Sequence, residues 1–192
     1  LLLKPGRIPY LNRNLYYFAG KDVWKTLFDL EAMRPGMVLL SAQAPDGDPA
    51  WCDVVTLMTP VATRPWEAWE GSVPGRRPEA YTALKAAMTQ ATVDFACARL
   101  PELRDAIAHT YAATPLTYRH YTGAPHGAAY GLLKDWRSIM ASHIPARTKF
   151  ENLLLTGQNL TVHGAIGVTL SAAATCSEIV GTEYLAKKIA NA

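Results

Sequence analysis

From Asn152 through Ser177 the chain carries no Asp, Glu, Lys or Arg. The stretch NLLLTGQNLTVHGAIGVTLSAAATCS reads, in order, as a buried strand, a polar turn, a glycine-punctuated loop and the start of a long small-residue helix continuing to Ala186. A helix start ordinarily attracts Asp or Glu, because its first N–H groups carry the positive end of the helix dipole. Here that end is left open beside Gly164 and Gly167, whose missing side chains let a ligand come close to the backbone. An acid-free helix start of this kind can hold an anionic or electron-rich group. Strand–loop–helix units that hold no ligand are common, so the pattern alone leaves a purely structural unit open. A membrane span needs ~20 mainly apolar residues, and Gln158, Asn159 and His163 interrupt the run before one develops.

The rest of the chain sets the scale. Its 192 residues, 49% of them hydrophobic, suffice for one sizeable core, or one domain plus part of another. A net charge of +3, with Lys and Arg scattered, argues against a nucleic-acid partner. Cys52, Cys97 and Cys176 lie far apart without CxxC spacing, which suggests reduced thiols in a cytosolic-type compartment, most of them filling core. The opening LLLKPG has no initiator Met and reads as a strand already under way, so residues upstream are expected. Neither GxGxxG nor GxxxxGK occurs, so the main phosphate-binding turn of any bound dinucleotide would lie outside these residues.

In chain order, strands are expected at Leu1–Lys4, Leu15–Phe18, Met37–Ala42 and Cys52–Ala62, the last antiparallel to its predecessor, with a turn at Asp46-Gly47-Asp48-Pro49. Asp22 is a natural N-cap for a helix over Val23–Glu31, with Val23, Trp24, Leu27, Phe28 and Leu30 largely on one side. Trp66 and Trp69 fall in a short helix. Pro78 opens a long helix to Leu100 whose apolar face is Tyr81, Leu84, Met88, Ala91, Phe95 and Ala98. Pro101 begins a further turn carrying Leu103 and Ile107. Ala108–Tyr130, dense in Tyr, His, Gly and Pro, reads as an irregular crossover. Met37–Leu40 and Val54–Met58 serve equally as core or as one wall of an apolar channel. His120 and His126 have no Cys or carboxylate at a recognised ligand spacing, no GxSxG elbow is present, and an isolated His163 fits a structural hydrogen bond.

Residues 152–186, together with Thr114-Pro115-Leu116-Thr117-Tyr118-Arg119, Tyr121-Thr122-Gly123, Gly127-Ala128-Ala129-Tyr130-Gly131 and Arg147-Thr148-Lys149, resemble the carboxy-terminal part of a flavoenzyme family. It is the phytoene desaturase, carotenoid isomerase and all-trans-retinol 13,14-reductase (retinol saturase) family. The block LxLTGQNLxxHGxxGVxxSAxxTCSEIVG carries the resemblance most specifically, and KPGRIPYLNRNLYYF looks like a strand pair of the family's substrate-binding region. The resemblance implies an FAD-dependent oxidoreductase acting on C=C bonds of a polyene, carotenoid or retinoid-like lipid, by saturation, desaturation or isomerisation. It implies an α+β fold: residues 1–150 as a substrate-binding region with a mixed or antiparallel sheet and flanking helices. Residues 151–192 would be the terminal strand and helix of a Rossmann-type FAD-binding domain. Gly157, Gln158, Asn159, His163, Gly164, Ile166, Gly167 and Val168 would then meet the flavin, and Tyr130 and Gly131 the substrate. Many relatives in the wider amine-oxidase group have Gly-Asp where this chain has Gly157-Gln158.

The same resemblance implies NAD(P) as a further cofactor of the parent, a lipid-like substrate, peripheral membrane contact, and a cytoplasmic or membrane-associated setting. Without the half that grips the ADP moiety, the isolated chain is expected to be inactive and to associate through its exposed sheet edge or the 166–189 helix. A non-enzymatic apolar-ligand or interaction module is the competing reading.

Overall fold

The computed structural model describes residues 1–28, 30, 34–43 and 50–191. Its contacts divide into two units, Leu1–Gly127 and Ala128–Ala192.

The first unit is built on a five-stranded antiparallel sheet. Its strands are β1 (Leu2–Leu3), β2 (Leu15–Phe18), β3 (Met37–Gln43), β4 (Val54–Met58) and β5 (Ile107–His109), in the spatial order β2-β3-β4-β1-β5. The strands at Leu15–Phe18, 37–43 and 54–58 lie where β-branched and aromatic runs predicted them, and β4 is antiparallel to β3 as expected. Side chains alternate across a strand, so register decides which residues share a face. Leu40 pairs with Leu57 and Ala42 with Val55, which puts Val38, Leu40 and Val55 on the inner face, each fully buried.

The helices of this unit are α1 (Val23–Phe28), α2 (Glu79–Cys97), α3 (Glu102–Ala106) and α4 (Pro115–Thr122), with a 3-10 turn at Arg64–Trp69. Val93, Ala96 and Cys97, at helical spacing on α2, join Leu103 and Ala106 of α3 in the core that covers the inner sheet face. The amino-terminal half of α2 belongs to a second cluster, where Tyr81 packs with Trp66 and Leu116, flanked by Trp69, Leu84 and Met88. Both Trp rings meet Tyr81 edge-on, with centroids 5.7 and 5.6 Å away.

Several local expectations need correction. The stripe of α2 is not continuous: Ala98 is exposed, and Val93, Ala96 and Cys97 take the sheet contact, because the helix faces a different neighbour at each end. Ile107 is not helical, since its backbone turns extended (ψ 124°) and enters β5 beside β1. The stretch after it is not wholly irregular: Thr114 caps α4, Thr117 reaches back to the Thr114 N–H at 3.1 Å, and Pro115 fits the first turn. Asp22 caps α1 through the Lys25 N–H at 2.9 Å, as its position predicts. The apolar side expected of that helix is not buried, because Trp24 and Val23 lie exposed. Glu31 and the expected turn at Asp46-Gly47-Asp48-Pro49 lie outside the described residues.

The second unit contains α5 (Ile139–Ser142), α6 (Gly164–Val180) and α7 (Thr182–Ala190). The buried strand expected near 152–156 is not formed. Leu154 makes a single bridge to Arg147, and Leu153 and Leu155 are exposed, because one partner residue is too little to propagate a ladder. The expected long helix exists but is interrupted at Gly181, whose φ of 87° is incompatible with continuing the turn. Among the described residues no helix is long and apolar enough to cross a membrane.

Cys52 and Cys97 are buried and free, and burial pushes both thiols up from their ordinary range, so they behave as core. Cys176 departs from that reading: it is exposed on α6.

Candidate functional site

The residues singled out between 130 and 168 all fall in the second unit, where the structure brings several of them together. α6 begins at Gly164 with His163 as its N-cap, without a side-chain cap and without an acidic residue in the first turn. The helix start is therefore as open as the sequence suggested, since three or four N–H groups there have no intrahelical acceptor. The two glycines beside it differ. A Cβ on Gly167 would overlap the Val162 carbonyl, so this glycine admits the chain's own backbone. A Cβ on Gly164 would meet open space, and its φ of 76° is what calls for glycine there.

His163 is half-buried, and its Nδ1 lies 3.1 Å from the Gln158 carbonyl oxygen. A carbonyl only accepts, so Nδ1 carries the proton and donates; in the neutral ring Nε2 is left as the acceptor. The Tyr130 ring lies against the His163 ring with centroids 5.6 Å apart. Gly131 packs so closely on Asn159 that a Cβ there would overlap the amide oxygen, which in turn accepts the Leu132 N–H at 3.0 Å. Tyr130, Gly131, Gln158, Asn159, His163 and Gly164 thus form one constellation.

The other candidates lie apart from it. The Gly157 N–H is already engaged, donating to Ser171 Oγ at 3.1 Å. Ile166 (78% exposed) and Val168 sit on the outer surface of α6.

Residues to which the sequence reading gave no individual role hold this unit together. Ser171, 1% exposed, also donates to the Val168 carbonyl at 2.9 Å, and Thr175 one turn later donates to the Leu155 carbonyl at 2.8 Å. Their spacing of four was the available signal, because such a pair shares one face of the helix. Arg147 pairs with Glu178 at 2.7 Å. Lys134 donates to the carbonyls of Ser142, Asn159 and Leu160 at 2.6, 2.6 and 3.0 Å; a single Lys in a loop gives no warning of that role.

In the first unit, part of the outer sheet face is apolar, although Ser41 beside Thr56 and Gln43 beside Val54 share it. Register aligns Tyr16, Leu39 and Met58 across three strands, with Phe18 beside Met37 and Leu2 beside Val54. Leu2, Tyr16 and Met58 are exposed, whereas an antiparallel sheet ordinarily turns polar residues outward. The stretches 37–40 and 54–58 are therefore core through Val38, Leu40 and Val55, and an open apolar wall through Leu39 and Met58. Among the described residues no three His, Cys, Asp or Glu side chains gather as a metal site.

No protein-family profile matches the chain, and no solved structure matches it. Curated proteins do. Human all-trans-retinol 13,14-reductase is 29% identical over 187 residues, covering 90% of this chain and 30% of that protein. The enzymes of the same name from Macaca fascicularis and Rattus norvegicus are each 31% identical over 143 residues, covering 69% of this chain and 23% of theirs. The chain spans less than a third of the length of these curated relatives, and over most of its own length it is similar to the all-trans-retinol 13,14-reductases, the retinol saturase family.

Proposed function

We propose that residues 1–192 are part of an FAD-dependent oxidoreductase that acts on a C=C bond of a retinoid-like lipid. Residues 151–192 supply the closing helix of a Rossmann-type flavin domain, and residues 1–150 most of a substrate-binding region. The similarity to retinol reductases supports the oxidoreductase and retinoid parts of this reading. The observation that carries the cofactor part is the start of α6: uncapped by any side chain, free of acid and open at Gly164.

The residues present fit a flavin there. The first-turn N–H groups of α6 stabilise negative charge on a group seated at Gly164, and no acidic residue in that turn opposes them. Gln158 and Asn159 belong to the turn before it, and His163, the N-cap of α6, is held through Nδ1 by the Gln158 carbonyl. FAD, when bound, supplies the hydride chemistry. The chain's contribution is to orient that group and to keep water from an apolar substrate. The outer sheet face suits the second task, since Tyr16, Leu39 and Met58 offer an apolar wall to a polyene. The 152–156 segment gains its strand pairing within the flavin domain, and the isolated chain is inactive. Carotenoids as substrates, desaturation or isomerisation as the reaction, and NAD(P) as electron source belong to the same reading at finer grain. So do peripheral membrane contact and self-association through the apolar surface of α6.

Absorbance of the longest protein that carries this chain tests the proposal. A yellow preparation with near-stoichiometric FAD supports it; a colourless one favours a non-enzymatic apolar-ligand module. The helix-start argument is tested at Val168. Val168→Asp should make the flavin harder to reduce than Val168→Asn does, because only the former adds charge near the dipole's positive end. Equal midpoint potentials in the two variants would sink the argument.

A further inference from the structure

We propose that residues 130–134 form a strap that fixes the turn leading into α6, and that Lys134 is the positioning residue of this site. As a statement about a cofactor site it rests on the flavin reading above; as a statement about the strap it stands on contacts alone. The contacts converge on Asn159. Tyr130 lies on His163, Gly131 and the Leu132 N–H meet the Asn159 amide, and Lys134 reaches the Asn159 and Leu160 carbonyls. Four of the five residues of 130–134 thus touch the 159–163 turn, three of them at Asn159. A one-residue slip would drive a side chain into the space that Gly131 leaves for Asn159.

Lys134 closes the register. An ammonium has three N–H donors, and three carbonyls converge on this one, with Ser142 tying in α5 as the third. Among the described residues no carboxylate pairs with it, so its charge is solvated by peptide dipoles rather than cancelled. The strap therefore does two things. It holds the Gln158–His163 geometry that sets the His163 tautomer, and it places an uncancelled positive charge beneath a turn whose far end is the open helix start. An arginine retains the charge, but its planar fork does not match three converging carbonyls.

Hydrogen exchange of the 192-residue chain without ligand, and FAD titration of the longest protein that carries it, test the proposal on Lys134→Met and Lys134→Arg. Exchange of amides 157–164 should quicken about tenfold or more in Lys134→Met, as expected for losing hydrogen bonds to a charged donor, and recover in part in Lys134→Arg. Amides of β3 and β4 serve as the control for global unfolding and should not change. FAD should bind about tenfold more weakly to Lys134→Met. Unchanged exchange at 157–164 overturns the strap. Faster exchange with unaltered FAD affinity overturns the positioning role and leaves Lys134 a structural pin. Failure of the wild-type protein to bind FAD overturns the flavin reading, while the exchange difference still decides whether the strap exists.

Discussion

The two units are stabilised by different means. In Leu1–Gly127 a sheet and two helices enclose a shared apolar core: Val38, Leu40, Val55 and Leu103 are all inaccessible to solvent. In Ala128–Ala192 the large apolar side chains mostly face outward, among them Leu133, Trp136, Met140, Ile166, Ile179 and Ile189. Among the described residues, what is buried there is Leu160, Gly167 and Ser171. The first unit follows the usual balance, in which apolar burial offsets chain entropy. The second is held by hydrogen bonds between side chains and backbone: Lys134 and Thr175 donate to carbonyls, and Asn159 and Ser171 accept from N–H groups. α6 leaves Ile166, Leu170 and Ile179 of its apolar surface exposed. The candidate cofactor site lies in that unit, so the least self-sufficient region is the one with the clearest functional signature.

This contrast can be broken experimentally. The largest effect is expected in the first core: Leu103→Ala should cost about 2–5 kcal/mol in denaturant unfolding, by lost burial and a residual cavity. Ile166→Glu should shift the same transition by no more than about 0.5 kcal/mol, because the residue is largely exposed. It should also reduce any self-association seen by sedimentation, since it puts a charge on the apolar face. If the two variants proved equally destabilising, the units would not differ as described.

An intermediate effect is expected at Ser171. Ser171→Ala removes an acceptor from the Gly157 N–H and a donor from the Val168 carbonyl, and should loosen the second unit by about 1–3 kcal/mol. Exchange of the Gly157 amide reads this directly, and an unchanged rate would show that the apolar contacts of α6, not its polar face, hold the turn.

The smallest effect concerns the exposed pair Arg104–Asp94 of the first unit, 2.7 Å apart. The hydrogen bond from Arg104, with a lesser one from Gln90, holds the Asp94 carboxyl below its usual range. A depressed folded-state value means that the contribution is present above the unfolded carboxylate range, about pH 4, and is lost as pH falls through the folded value. Arg104→Gln should return the Asp94 titration, followed by carboxyl NMR, toward its ordinary position. Little change in stability at neutral pH is expected, since both groups are solvated.

Much of the first unit was legible because its signals are local. Val38 and Leu40 sit in a short apolar run, Asp22 is a capping residue ahead of a helix, and Pro78 stands at a helix entrance. Ile107 was not legible: its extended backbone answers to β1, a strand more than a hundred residues earlier in the chain. The acid-free start of α6 could be read from residue types alone. The partners of that start could not, because Lys134, Tyr130 and Gly131 reach it by loop closure, which no periodicity encodes.

By itself, the sequence determined the helices and strands with strong local signals, the absence of charge along 152–177, and a likeness to the all-trans-retinol 13,14-reductases. Only the tertiary structure decided three further things. Gly167 admits backbone while Gly164 faces open space. Residues 37–40 and 54–58 are core on one side and open apolar wall on the other. The 152–156 segment, apolar as it is, forms no strand within its own unit. The physical reason is common to all three. Burial, register and strand pairing are properties of two surfaces brought together, and one stretch of sequence specifies only one of them.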